Sequence, residues 1–226
     1  MLKRWMTVIL AVIIALCCVP CRHAEAEGGN TVTSPAIETL RGWGFTLDDA
    51  TLNKAAAQLE PGTDILSLDA ASLLLLLGFG IYDDQTDAWE PVSHDVYLID
   101  AEMPFIDRMY TNILTGIDAI VPDIEITDIA EDLSGMTAEM VPGEMGRLTD
   151  GKRTVSFLCN GHPYSTELTS YGDWVNEAFF DFMDNVLEQE NCPHKLYQIL
   201  FYYQYVVMVY GPEELAVKVN SILSPF

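Results

Sequence analysis

One dipeptide constrains the fold of this chain more than any other feature. Asn160-Gly161 sits in the middle of RTVSFLCNGHPYSTEL, residues 153–168, with alternating apolar and polar residues on both sides. Asn-Gly supplies the two positive φ angles of a type I′ turn, whose twist matches that of paired strands, so the stretch predicts a β-hairpin with a two-residue loop. The register follows. Cys159 and His162 flank the turn as direct cross-strand neighbours, and counting by twos puts Val155, Phe157 and Tyr164 on their face, the more apolar and hence core side.

The hairpin is followed by DWVNEAFFDFMDNVLEQE, in which Trp174, Val175, Ala178, Phe179, Phe182, Met183, Val186 and Leu187 recur at helical spacing behind Asp173 as a cap. KLYQILFYYQYVVMVYG, rich in Tyr, Val and Phe, predicts one long strand or two short ones. PEELAVKVNSIL closes the chain as a helix with Pro212 in its first turn. Residues 150–226 therefore repeat a strand, strand, helix unit. The expected class is α+β, an antiparallel or mixed sheet with helices packed on one face.

The earlier part of the chain is more helical. TLDDATLNKAAAQLEPG predicts a helix with Thr46 as cap, stopped at Pro61-Gly62, and a second helix runs from about Asp69 to Leu77 with leucine on every face, which implies burial all round. Residues 35–80 are expected to form a small helical subdomain and residues 95–226 the α+β domain, unless 35–226 is continuous. VYLID predicts a strand, and MPFIDRMYTNILTGI a helix with Phe105, Ile106, Met109, Tyr110, Ile113, Leu114 and Ile117 on one face. IEITDI alternates as a half-buried strand, while AEDLSGMTAEMVPGEMG, acidic and broken by Gly and Pro, is expected to be a surface loop.

The N-terminus bears on location. Lys3 and Arg4 precede an apolar run from Trp5 to Val19, and Ala24-Glu25-Ala26 supplies a small-residue cleavage site. That order is a secretory signal peptide, residues 1–26, cleaved after Ala26 and followed by a linker over 27–34. The run has 15 residues, whereas a spanning helix needs about 20. Cys17, Cys18 and Cys21 follow Leu16, Cys17 and Pro20, so none has the small preceding residue of a lipoprotein site. No later stretch is long enough to span a membrane, so the mature chain is expected to be secreted or extracytoplasmic.

The full chain carries a formal charge of −23; without residues 1–26 it keeps 8 basic and 33 acidic side chains, a charge of −25. With no surviving cluster of Lys and Arg there is nothing to neutralise phosphates, which excludes nucleic-acid binding. Acidity at this level keeps an exported domain soluble and also suits a cationic partner.

The mature cysteines are Cys159 and Cys192, the latter in NCPH two residues before His194. Cys159, His162, Cys192 and His194 could in principle close a tetrahedral zinc site. In an oxidising compartment, however, two cysteines favour a Cys159–Cys192 disulfide over zinc or free thiols. A nucleophilic cysteine needs a nearby cation or helix N-terminus, which Cys159 at a strand end lacks, and His162 is expected to be partly buried.

YDDQTDAWEP places Asp83, Gln85 and Asp87 at alternate positions like a calcium loop, but Ala88 stands where Gly is needed and His94 where Glu is needed, so a solvated acidic connector is expected. The chain has no G-x-S-x-G, H-E-x-x-H or phosphate-cradling loop. Trp43, Trp89, Tyr171, Tyr202 and Tyr203 lie outside the core pattern and are candidate binding anchors. Together these readings point to an exported acidic domain that binds a protein or glycan, without cofactor or catalytic residues. A secreted hydrolase with a composite carboxylate and histidine site, and an inhibitor of a basic secreted partner, are the alternatives.

Overall fold

The computed structural model describes residues 33–83, 88–102, 106–139, 147–170, 172, 174–202 and 204–223. The expected signal peptide, its cleavage point and most of the linker lie outside them. The chain divides into two compact units, Met1–Leu77 and Gly78–Phe226. Among the described residues there are six α-helices and two three-stranded antiparallel sheets, an α+β architecture.

In the first unit, α1 (Pro35–Gly42) starts at Ser34, whose Oγ accepts from the Ile37 amide, with proline in the first turn. The second helix, α2 (Asp49–Ala56), is capped by Asp48, not Thr46: Asp48 Oδ1 accepts from the Thr51 amide at 2.7 Å. α3 (Ala70–Phe79) follows Asp69, which caps it through the Ser72 amide, and its last two residues belong to the second unit. Ile37, Leu40, Phe45, Leu47, Leu52 and Ala55 are buried, and so are all five leucines of α3.

The second unit opens with a small hairpin, β1 (Ile81–Asp83) and β2 (Ala88–Glu90), where a connector was expected; residues 84–87, with the Gln85 and Asp87 of the calcium-like pattern, are not described. β3 (Tyr97–Asp100) leads to α4 (Met109–Ile120). The first long sheet has the order β4 (Ile126–Glu139), β5 (Arg147–Cys159), β6 (His162–Ser170), and α5 (Ala178–Gln189) follows it. Strands β7 (Lys195–Phe201) and β8 (Tyr205–Gly211) join β3 in the order β3-β8-β7, and α6 (Glu213–Leu223) ends the fold.

Two further elements depart from expectation. The acidic stretch read as a surface loop is strand as far as Glu139, with register shifts at Thr127/Ala130, Asp132/Gly135 and Met136/Ala138. It pairs because Gly135 and Gly151 let the backbones approach: a Cβ built on Gly151 would lie 2.4 Å from the Gly135 carbonyl oxygen. The long helix begins at Ala178, not after Asp173, which is not described. Val175 instead donates to the Ala101 carbonyl, Trp174 bridges Glu102, and Asn176 Oδ1 accepts from the Ala178 amide. Tertiary pairing of two residues outweighs one more helical turn.

The sheet β4-β5-β6 presents Ile126, Val155, Phe157, Cys159 and Leu168 to α4 and α5, and its other face is polar and solvated. The sheet β3-β8-β7 contributes Tyr97, Ile99, Leu196 and Met208 to the same core. Its opposite face, with Leu98, Ile199, Val207 and Val209, is also buried, and α6 packs against β7 and β8.

Candidate functional site

The hairpin turn forms as the dipeptide requires. Asn160 and Gly161 have φ of 50° and 81°, and Cys159 pairs directly with His162. The tip docks on the C-terminal end of α5 through one carboxylate. Glu190 Oε1 accepts from His162 Nδ1 at 3.0 Å and from the Tyr164 hydroxyl at 2.5 Å, and Oε2 accepts from Asn160 Nδ2 at 3.1 Å. Asn160 also accepts from the Glu125 amide and donates to the Asp123 carbonyl, so the turn side chain links three segments.

Glu190 has only 5 % of its side chain exposed, yet its carboxyl is held below the ordinary range, first by the Tyr164 hydroxyl and then by His162 and Asn160. An ionised carboxylate accepts only, so Nδ1 of His162 carries the proton of that bond. The other ring nitrogen has no partner among the described residues. His162 is not partly buried as expected: its side chain is 70 % exposed. It shares the face of Cys159, but it begins an edge strand and turns out over Glu190 beyond the cover of the helices.

Cys159 lies in the core and Cys192 packs against it, but both are free thiols. The expected disulfide is not formed in this structure. Burial first, then the charge of Glu190, pushes the Cys159 thiol up to about 12, and burial raises Cys192 as well. Neither is an activated nucleophile. His194 stands edge-on to the Tyr210 ring at 5.7 Å, and the Tyr210 hydroxyl donates to Asp123 at 2.7 Å. The hairpin thus gathers the residues of the zinc alternative into one region without making a ligand set. Among the described residues no group of three or more His, Cys, Asp or Glu is placed to hold a metal ion. His94 lies apart, with Nδ1 on the Ala119 carbonyl.

A second constellation has no sequence signature. Arg153 and Glu131 form an ion pair at 2.9 Å with 0 % and 3 % of their side chains exposed. Arg153 Nε donates to Ser170 Oγ at 2.8 Å, and the guanidinium lies 5.3 Å from the centre of the Tyr110 ring. Glu131 Oε1 accepts from the Thr111 amide and hydroxyl, so a strand carboxylate caps the first turn of α4. The pair is closed to solvent and holds β4, β5 and α4 in register.

Exposed large side chains stand elsewhere, Leu200 and Tyr202 where β7 turns into β8 and Trp174 opposite Glu102 just past β3. Trp174, Leu200 and Tyr202 are 45 %, 61 % and 52 % exposed. Beside them Gln204 Nε2 donates to Asp100 at 3.0 Å and to Glu102 at 3.5 Å. Of the anchors expected from sequence, Tyr202 is here, while Trp89 packs edge-on to Tyr97 with its indole on the Phe79 carbonyl. Trp43 is half-buried, and Tyr171 and Tyr203 are not described. The sequence pattern places Leu200 inside a strand and Trp174 on a helix face, so only their position in the fold reveals their exposure. Comparison with protein-family models, curated proteins and solved structures finds no match to this chain.

Proposed function

We propose that the chain is an exported acidic interaction domain that binds a basic extracellular partner through the β7–β8 end of its sheet. The observation that carries this reading is the exposure of Trp174, Leu200 and Tyr202 beside the carboxylates of Asp100 and Glu102. Aromatic anchors rimmed by charge are how interfaces concentrate binding energy. A charge of −25 on the mature chain favours a cationic protein. The test is binding of residues 27–226 to a panel of basic secreted proteins and to a glycan array, beside the W174A/Y202A variant. The expected result is a salt-sensitive partner held at least about tenfold more weakly by the variant. Equal binding by the variant to every partner would refute the assignment.

Export also implies a bond between Cys159 and Cys192 in the mature protein, two thiols giving two protons and two electrons to an external disulfide oxidant. Intact mass of the secreted chain should rise by about 2 Da on reduction. An unchanged mass would leave the thiols free, as the structure has them.

A hydrolase is favoured by one arrangement, the exposed His162 held through Nδ1 by buried Glu190, which is how a general base is oriented. Of the groups near it among the described residues, Cys159, Cys192 and Tyr164 all have pKa values raised first by burial, so none of these three is an activated nucleophile.

A further inference from the structure

Four strands of the two long sheets lie at edges, and three are protected against pairing with another chain. β4 is broken by three register shifts and by Asp128 at φ 51°. β6 carries Pro163, and β3 has four residues. Bulges, proline and brevity are the usual means of blunting an edge. β7 has none of these three; its one charged side chain is Lys195 at its first position. Its seven residues pair with β8 in unbroken register, and among the described residues no strand lies on its other side.

The direction of its free backbone groups can be worked out. Ala101 donates its amide to the Gln204 carbonyl, so the even-numbered residues of β8 turn toward β3 and the odd-numbered ones toward β7. Opposite them, odd-numbered residues of β7 are engaged: Lys195 with Gly211, Tyr197 with Val209, Ile199 with Val207 and Phe201 with Tyr205. Leu196, Gln198 and Leu200 therefore point their amides and carbonyls outward. The one substitute partner on this edge agrees, because Gln198 Nε2 donates to the Leu196 carbonyl at 3.1 Å.

We infer that β7 is a docking edge that takes an extended, basic segment of a partner protein as a fourth strand. The inference rests on the interaction-domain reading and names the surface and the partner's chemistry. Charge selects the occupant. The exposed side of α5, which packs against β7, carries Glu177, Asp181, Asp184 and Glu188 at positions i, i+4, i+7 and i+11, and Asp184 is within electrostatic reach of Lys195 at the start of β7. A basic strand laid along β7 meets those carboxylates, and alternate side chains of the strand cover exposed Leu200. A second copy of this chain, with its own charge of −23 or below, is repelled.

The experiment uses residues 27–226 and two synthetic probes, Lys-Val-Lys-Val-Lys-Val-Lys and its twin with Glu for Lys. The variant Q198P removes an outward amide while sparing the β8 ladder, since proline is tolerated where an edge amide faces solvent. Q198A removes only the side chain that occupies the Leu196 carbonyl. The lysine peptide should bind wild type and protect the Leu196, Gln198 and Leu200 amides from exchange. Q198P should weaken it at least about tenfold, Q198A should hold it as well or better, and the glutamate twin should not bind. Protection mapped on wild type keeps the test valid if Q198P misfolds. No binding at about 1 mM lysine peptide, protection only at other amides, or equal binding by the glutamate twin would each overturn the inference. A panel partner lost in W174A/Y202A but indifferent to Q198P would sink the edge and leave the interaction domain standing; if every panel partner is indifferent to both variants, both readings fall.

Discussion

Replacing Arg153 with methionine isolates the energetics of the buried pair. Methionine keeps the length of the apolar stem, so little cavity is made, and the change removes the bonds to Glu131 at 2.9 Å and Ser170 at 2.8 Å and the cation over Tyr110. Glu131 is then a carboxylate with 3 % of its side chain exposed, held only by Thr111. Two charge-assisted bonds at about 1.5–3 kcal/mol each suggest a loss of roughly 3–6 kcal/mol. Breaking one side of a buried pair costs about 3–5 kcal/mol, which agrees. With a urea slope near 2 kcal/mol/M, the midpoint for the second unit should fall by about 1.5–2.5 M. The decisive variant is R153M/E131Q. Glutamine still offers an oxygen to the Thr111 amide, and no charge is left buried, so the double variant should be more stable than R153M alone. The assay is urea unfolding followed by circular dichroism and tryptophan fluorescence. If the two substitutions add, or if R153M costs under about 1 kcal/mol, the pair does not hold β4, β5 and α4 together as argued.

Gly116 lies on α4 where a Cβ would sit 2.0 Å from Cε1 of Tyr97, a buried ring anchored by its hydroxyl on the Asn112 carbonyl. Gly116→Ala should gain about 1 kcal/mol of helix propensity and lose about 3 to overpacking, a net loss near 2 kcal/mol in the same assay; a stabilised variant would contradict it. Tyr164→Phe removes the largest cause of the depressed Glu190 carboxyl. Because that pKa is lower folded than unfolded, the stabilisation is complete above the ordinary carboxyl value of 4.5 and disappears as pH falls through the folded value. Wild type should exceed Y164F by about 2 kcal/mol at neutral pH, and the gap should close in strong acid. A gap that persists at low pH would mean that the hydroxyl acts by packing alone.

What was legible in the sequence, and what was not, divides along the range of the interactions involved. Asn160-Gly161 determines its turn through the φ preferences of two adjacent residues, and the Cys159–His162 register follows without reference to the rest of the chain. Asp48 displaces Thr46 as a cap only because its carboxylate is two residues closer to the amide it serves. The misread segment is different in kind. Glu131 has its partners Thr111 and Arg153 at separations of 20 and 22 residues, so an acidic run that resembles a loop becomes strand when those groups enclose one of its carboxylates. The same holds past the end of β3, where Trp174 leaves its helical pattern to pair with Glu102 and stays exposed. Periodicity assigns an apolar side chain to the inside of its own element; whether the element's end is covered depends on distant chain. That is why Leu200, in phase with buried Leu196 on the same face of β7, stands in solvent where β7 turns into β8.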